Sequence, residues 1–545
     1  MTTPNTSAPT TAERSPSGFT HKQILVIMSG LMLGLFLAAL DQTIVSTALP
    51  TIVGDFHRSD LLSWVITAYL LASTASTPLW GKAGDLYGRK RVFQLAIIVF
   101  LFGSVLCGAA QNMYELIAFR GIQGIGGGGL ISLVFAIIGD VIPPRERGRY
   151  QGYFGGVFGL SSVIGPLAGG FFVDSTSWRY IFYINVPLGI AALVVTNRVL
   201  KLPFVKRQVS IDWWGALLLV AGVSTILLAT QSGGKDFPWG SVQIVGGFVL
   251  GALLLISFGV REHYAVEPIL PLRLFRLQVF SVANAISFIS GISMFGALAF
   301  LPQYLQLVHS MSATASGLML LPLLIGILTC SIASGRYISN TGRYRWFPAV
   351  GSALVAAGLI LLSGIGAHTS LVVIGLDILV FGAGLGLFMQ VLVIVVQNAV
   401  DRRDMGVGTS SVTFFRSMGG TIGTAALGAV LTARLTTELP KYLPAAALRA
   451  GGGQVSQAIS APKVVDALPA PVREGIYQAY SHALATVFLY SVPVALLSVV
   501  VALFVKSHAL RSGQGQDAGR TAGEAAPGGT LPEAETDVAL TAPAH

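Results

Sequence analysis

The sequence predicts an all-α polytopic membrane protein of fourteen helices, two six-helix bundles with two extra helices between them. Three observations predict it. The 545 residues are 53% hydrophobic and only 11% charged, where a soluble chain carries about 25% charged residues. Uncharged runs recur along the chain, and about 20 apolar residues are enough to cross a hydrocarbon core of roughly 30 Å. Finally, loop sequences from the first half return in the second.

Spans are predicted near 24–49, 60–80, 91–111, 114–139, 149–171, 179–199, 211–230, 241–260, 278–305, 312–334, 346–366, 369–397, 407–431 and 483–505. The first follows a polar stretch without the charged and apolar regions or the cleavage site of a signal peptide, so it is expected to be its own uncleaved insertion signal. The second and third are separated by GKAGDLYGRKR (81–91), and the fourth and fifth by a loop containing RERG (145–148). Basic residues concentrate in these loops: Lys82, Arg89, Lys90 and Arg91; Arg145, Arg147 and Arg149; Arg198, Lys201, Lys206 and Arg207. That bias places them and both termini in the cytoplasm. The net charge of +10 therefore sets topology and implies no nucleic acid partner.

The loop after the tenth span, GRYISNTGRYR (335–345), repeats Gly81 and Gly88-Arg89 as Gly335 and Gly342-Arg343. RDMG (403–406) likewise repeats RERG, and Gly423 and Gly428 follow it as Gly165 and Gly170 follow the first copy. The predicted domains are a disordered cytoplasmic N-terminus (1–23), an N-terminal six-helix bundle (24–199), two linker helices with their loops (200–276), a C-terminal six-helix bundle (277–505) with an outer loop at 432–482, and a disordered cytoplasmic tail (506–545). Parallel six-helix repeats are the architecture of rocking-bundle transporters, with the cargo site between the halves near the midplane.

Other chemistry is poorly supported. Cys107 and Cys330 lie in separate spans, none of the eight histidines lies deep in one, and no HExxH, serine-nucleophile turn, acidic metal cluster or P-loop is present. Neither an enzyme nor a cofactor is expected. Four charges lie inside predicted spans: Asp41, Arg120, Asp377 and Arg416. Each costs about 2.5–3.5 kcal/mol at the centre of a span on insertion scales, so each is a candidate functional residue that should have a partner. At about 1.5 Å of rise per residue, Asp41 lies roughly 12 Å from the outer end of its span and Arg120 roughly 9 Å, which puts the two in one layer.

GKAGDLYGRKR resembles the loop 2–3 signature of the major facilitator superfamily, with Gly81, Asp85, Gly88, Arg89, Lys90 and Arg91 in place. AFRGIQGIGGGG (118–129) resembles its fourth-span motif. GGVFGLSSVIGPLAGG (155–170) is similar to the fifth-span motif of its proton-coupled antiporters, through Gly155, Gly159, Gly165, Pro166, Gly169 and Gly170. LDQTIVSTALP (40–50), WRYIFYINVPLG (178–189) and LPQYLQLVHSMSATASGLMLLP (301–322) resemble the drug:proton antiporter branch with fourteen helices, the EmrB/QacA type.

The resemblance implies a cytoplasmic latch at 81–91, weakened in the second copy, where Ser339 replaces the acid. It implies a kinked fifth span at the interface of the halves. Asp41 and Arg120 become proton-coupling residues, and Arg416, in RSMGGTIGTA, which resembles a thirteenth-span motif, is a candidate proton-coupling residue with them. Asp377 departs from the pattern and is expected to act as a second proton site or a contact for a cationic substrate. A pocket of mixed polarity is expected from Gln42, Ser46, Trp64, Asn284, Phe288, Phe295, Gln390 and Gln397. The implied activity is proton-coupled export of amphipathic drugs or antibiotics, cationic ones among them, by a monomer in the cell membrane. A dedicated exporter of one endogenous metabolite, lipid or peptide would use the same coupling.

Overall fold

In the computed structural model, residues 21–58, 61–142, 147–200, 212–234, 236–444, 465 and 468–505 are described. Of the expected disordered termini, residues 1–20 and 506–545 fall outside them, as do 445–464, 466 and 467 of the outer loop. The N-terminal half contains α1 (His21–Phe56), α2 (Leu62–Tyr87), α3 (Arg89–Ala109), α4 (Met113–Val141), α5 (Arg147–Ser175), the short α6 (Tyr180–Tyr183) and α7 (Asn185–Val199). Then come α8 (Trp213–Ser232) and α9 (Val242–Tyr264). The C-terminal half contains α10 (Gln278–Val308), α11 (Ala313–Leu318), α12 (Leu321–Thr341), α13 (Trp346–Leu362), α14 (Leu371–Ala399), α15 (Met405–Tyr442) and α16 (Ala470–Leu503).

Local chemistry accounts for the helix starts. The side chains of Asn112, Asp212, Ser241, Ser312 and Ser370 accept backbone N–H groups in the first turns of α4, α8, α9, α11 and α14. The repeated loops turn on Gly88 (φ 90°) and Gly342 (φ 71°), where a side chain would be strained. The sixth span runs through α6 and α7, since Ile184 between them keeps helical backbone angles (φ −62°, ψ −25°). Two helices reach well into the expected outer loop: α15 continues to Tyr442, and α16 begins at Ala470.

The repeat is visible in the packing. α1 lies on α5 and α7, α4 on α2 and α3; in the second half α10 lies on α15 and α16, and α14 on α12 and α13. In α4, Gly124 and Gly128 meet the backbone of α2 at Tyr69 and Ser73, while Gly126 meets that of α3 at Phe100. A side chain at any of these would push the helices apart, so the glycine run serves close approach. The halves join along two seams, α2 against α15 and α5 against α12, with α8 covering the first.

Among the described residues, eleven helices are long and apolar enough to cross a membrane. α2, α13 and α15 fall outside that set. α13 has 17 residues, α2 ends in the charged GKAGDLY segment, and α15 contains Arg416 among serines and threonines.

Candidate functional site

Asp41 and Arg120 meet in the interior of the N-terminal half. Arg120 Nη1 lies 2.6 Å from Asp41 Oδ2, and their side chains are 2% and 0% exposed. The other carboxylate oxygen, Oδ1, accepts from Gln123 Nε2 (2.7 Å) and Asn185 Nδ2 (3.0 Å). Arg120 Nη1 also donates to Gln123 Oε1 (2.8 Å), and its guanidinium lies over the Tyr69 ring, 4.3 Å from the centroid. Asn185 Nδ2 extends the network to Ser104 Oγ (2.9 Å), whose hydroxyl donates to the Phe182 carbonyl (2.9 Å). A buried carboxylate thus has a cation and two amide donors, which is how a buried charge is tolerated. Asn185, at the start of α7, brings the sixth span into this network.

A second cluster closes the cytoplasmic end. Asp85, at the end of α2, accepts the N–H groups of Gly406 and Val407, both at 3.0 Å, where positive dipole density at the start of α15 favours an anion. Arg89 bridges Asp85 Oδ1 (2.9 Å) and Asp140 (2.7 Å). A side chain at Gly406 would strike the Asp85 carboxylate, and one at Gly81 would strike Ser410. Burial pushes the Asp85 carboxyl up to about 6, partly offset by Arg89 and the Val407 N–H; Asp140 adds to the rise and the Gly406 N–H opposes it. Asp85 lies beyond the predicted span 60–80. Lys90 bonds to the Asn197 carbonyl (2.7 Å), and Arg91 is exposed.

The strand of chain after α9 straps this closure. Buried Glu262 accepts the N–H groups of Ile269 (2.9 Å) and Leu270 (3.1 Å). Glu267 then pairs with Lys82 of α2 (2.6 Å), and Arg273 with Asp404 before α15 (2.9 Å).

The profile of the Major Facilitator Superfamily matches residues 31–424. The chain belongs to the major facilitator superfamily. It is 36% identical over 502 residues to multidrug resistance protein 3 of Bacillus subtilis, covering 91% of this chain and 96% of that one. It is 41% identical over 433 residues to the multidrug transporter protein MdtP of the same organism, covering 79% and 80%. Solved structures agree in fold: the proton:xylose symporter XylE (TM-score 0.59, 13% identity, 91% and 100% covered) and the human organic anion transporter MFSD10 (TM-score 0.58, 16% identity, 86% and 99% covered). The chain is a multi-pass membrane transporter of this superfamily and not an enzyme.

Within the major facilitator fold, the remaining expected residues separate into distinct places. On α5, a Cβ at Gly165 would strike Thr43, whose hydroxyl donates to the Ser161 carbonyl (2.9 Å), and a Cβ at Gly169 would come 3.1 Å from the Ile44 carbonyl. Gly159 faces Leu324 of α12 across the seam. Gly170 meets nothing within 4 Å, so close packing explains only part of the motif. Gly155 and Pro166 lie on the same helix.

The residues expected to line a pocket have different surroundings in the structure. Gln42 and Ser46 are exposed, and Trp64 is half-buried. Asn284 Nδ2 bonds to its own helix at Phe280 (2.9 Å). Phe288 and Phe295 pack on Gly419 and Gly420 of α15. Gln397 belongs to the cytoplasmic closure: its Nε2 donates to the Phe135 carbonyl of α4 (3.0 Å) and to Thr409 Oγ1 (3.2 Å). The amide is used to join helices, which removes it from the pocket in this conformation.

Asp377 is 7% exposed and has no hydrogen-bond or ion-pair partner among the described residues. It shares the α14 face of Phe381 and Gly384, which packs on Gly358 and Val355 of α13. Neither Arg120 nor Arg416 approaches it. Arg416 and Gln390 also have no such partner among the described residues.

Sequence reasoning missed Gln123, Asn185, Ser104 and Tyr69, all buried neighbours of the ion pair. Two of them were within quoted motifs, AFRGIQGIGGGG and WRYIFYINVPLG. A search for charges passes over neutral amides, although a buried carboxylate needs donors for each oxygen.

Proposed function

We propose that this protein is a proton-coupled exporter of amphipathic small molecules that works by alternating access, with Asp41 as the proton site. The observation that carries the reading is the carboxylate of Asp41, fully buried in the transport half yet ion-paired to Arg120. Intramembrane ionisable groups of this kind mark proton and ion pathways. The names of the Bacillus relatives support efflux of drugs as the direction and cargo class. We further assign α2, α13 and α15 as crossings, for fourteen in all, in the cell membrane with both termini cytoplasmic and the protein acting as a monomer.

In this reading Asp41 takes a proton from outside, the cargo leaves, and the neutral carboxyl permits closure and return. The proton is released inside when Arg120 and the amides of Gln123 and Asn185 reclaim the carboxylate. The cytoplasmic latch at Asp85 and Arg89 holds the inner face shut while cargo departs. A potential of 100 mV is worth about 2.3 kcal/mol per charge, or roughly a fifty-fold gradient of an uncharged cargo for one proton.

The test is transport in vesicles reconstituted with the full chain. An imposed proton gradient should drive accumulation of an amphipathic dye, and a protonophore should abolish it. Dye movement that ignores both the gradient and the protonophore would refute proton coupling.

A further inference from the structure

The two halves treat their intramembrane arginines differently. In the first half Arg120 has Asp41, the Gln123 amide, the Val65 carbonyl and the Tyr69 ring. In the second, Arg416 has neither a hydrogen bond nor an ion pair among the described residues. With Phe415, Ser417 and Met418 it is half-buried, in a helix whose residues 405–414 and 419–421 are buried. A guanidinium cannot shed its proton, so at this depth it demands an anion or a ring of acceptors.

The register of two helices shows what stands opposite. α14 descends to the cytoplasmic closure and α15 rises from it, and the contact of Gln397 with Thr409 (3.2 Å) fixes their alignment. Two turns higher, roughly 10 Å, Gln390 on α14 comes level with Arg416 on α15. Thr413 lies one turn below Arg416. Gln390 Oε1 and Thr413 Oγ1 are buried without a partner. The same face of the two helices meets α4 at the closure, through Gln397 on Phe135 and Met405 against Gly139. It therefore looks toward the N-terminal half. The Phe295 ring, packed on Gly420 one turn beyond Arg416, supplies apolar surface on the same helix.

We propose that Arg416, with the Gln390 amide and the Thr413 hydroxyl, binds an anionic group of the cargo, a carboxylate or sulfonate on an amphipathic body. The guanidinium offers a fork of N–H donors suited to such a group, the hydroxyl adds one donor, and an unpartnered amide can turn its NH2 inward. The proton would be held in one half and the cargo's charge read in the other. This rests on the export reading above and narrows its cargo class.

The experiment is equilibrium binding to the full chain in phosphatidylcholine nanodiscs, where no anionic lipid competes. The probes are 11-(dansylamino)undecanoic acid and its methyl ester, which differ only in the charge. The wild type should prefer the acid. Arg416→Gln should weaken acid binding on the order of tenfold or more and leave the ester unchanged, the scale of one charge-assisted hydrogen bond. Gln390→Leu should weaken the acid by roughly threefold, the scale of one neutral bond, and Arg416→Lys should recover part of the loss. Equal losses for acid and ester, no preference for the acid in the wild type, or unchanged acid binding in Arg416→Gln would each overturn the assignment. Should Arg416→Gln bind neither probe, Arg416→Lys and Gln390→Leu decide: selective weakening of the acid supports the site, and unaltered selectivity refutes it. No gradient is involved, so a failure here is distinct from a failure of proton coupling.

Discussion

At the scale of single residues, the Asp41–Arg120 pair has an asymmetry that stability measurements can read. A carboxylate that loses its partner can take a proton and become neutral, whereas a guanidinium keeps its charge. Asp41→Asn should therefore cost about 3–5 kcal/mol by leaving Arg120 uncompensated, Arg120→Met should cost less, and Asp41→Asn/Arg120→Gln should recover part of the first loss. Thermal unfolding in detergent checks the order; equal effects of the two single changes would contradict it. Asp85 makes a second prediction. In the closed face its carboxyl is raised to about 6, and in an opened, hydrated face it returns toward about 3.9. The closed state thus binds the additional proton, and linkage favours it as pH falls through that window. Acidification from pH 7 to 5 should shift the equilibrium toward closure by about tenfold, measured as spin-label distances across the cytoplasmic ends. Asp85→Asn should remove this dependence, and opening on acidification would contradict it.

At the scale of elements, the strap that follows α9 connects the inserted pair of helices to both halves. Glu262 fixes its start, Glu267 pairs with the N-terminal half and Arg273 with the residue before α15. Its ion pairs are partly exposed, so each contributes on the order of 1 kcal/mol or less. Glu267→Lys should nonetheless raise the population with an open cytoplasmic face by a few-fold, and adding Lys82→Glu should restore closure. An unchanged distance distribution in the single variant would reduce the strap to a passive linker. These contacts were beyond sequence reasoning, because nothing local in VEPILPLRLF says which distant charges it meets. The glycines of α5 show the opposite limit. Their motif was legible, yet only the structure separates Gly165 and Gly169, which admit α1, from Gly170, where an added side chain would meet nothing within 4 Å among the described residues.

At the scale of the whole molecule, the repeat was legible because it rests on glycines that a turn requires: Gly88 and Gly342 both have positive φ in corresponding loops. The layer shared by Asp41 and Arg120 followed from helical rise alone. The pocket did not, since residues such as Gln397 and Phe295 are equally suited to joining helices, and only packing distinguishes the uses. The resulting division is simple: the Asp41–Arg120 pair, the proposed proton site, lies wholly inside the first half, and Gln390, Thr413 and Arg416, which have polar groups left without partners among the described residues, lie in the second. Movement of the halves about the α2–α15 and α5–α12 seams would then exchange access without dismantling either site.

The most direct measurement is proton release on cargo binding, followed with a pH indicator in weakly buffered, detergent-solubilised protein at a pH where Asp41 is protonated. The wild type should release about one proton per bound cargo, since one carboxyl carries the coupling. Asp41→Asn should bind cargo and release none. Undiminished release from Asp41→Asn would show that the proton is carried elsewhere and would contradict the account.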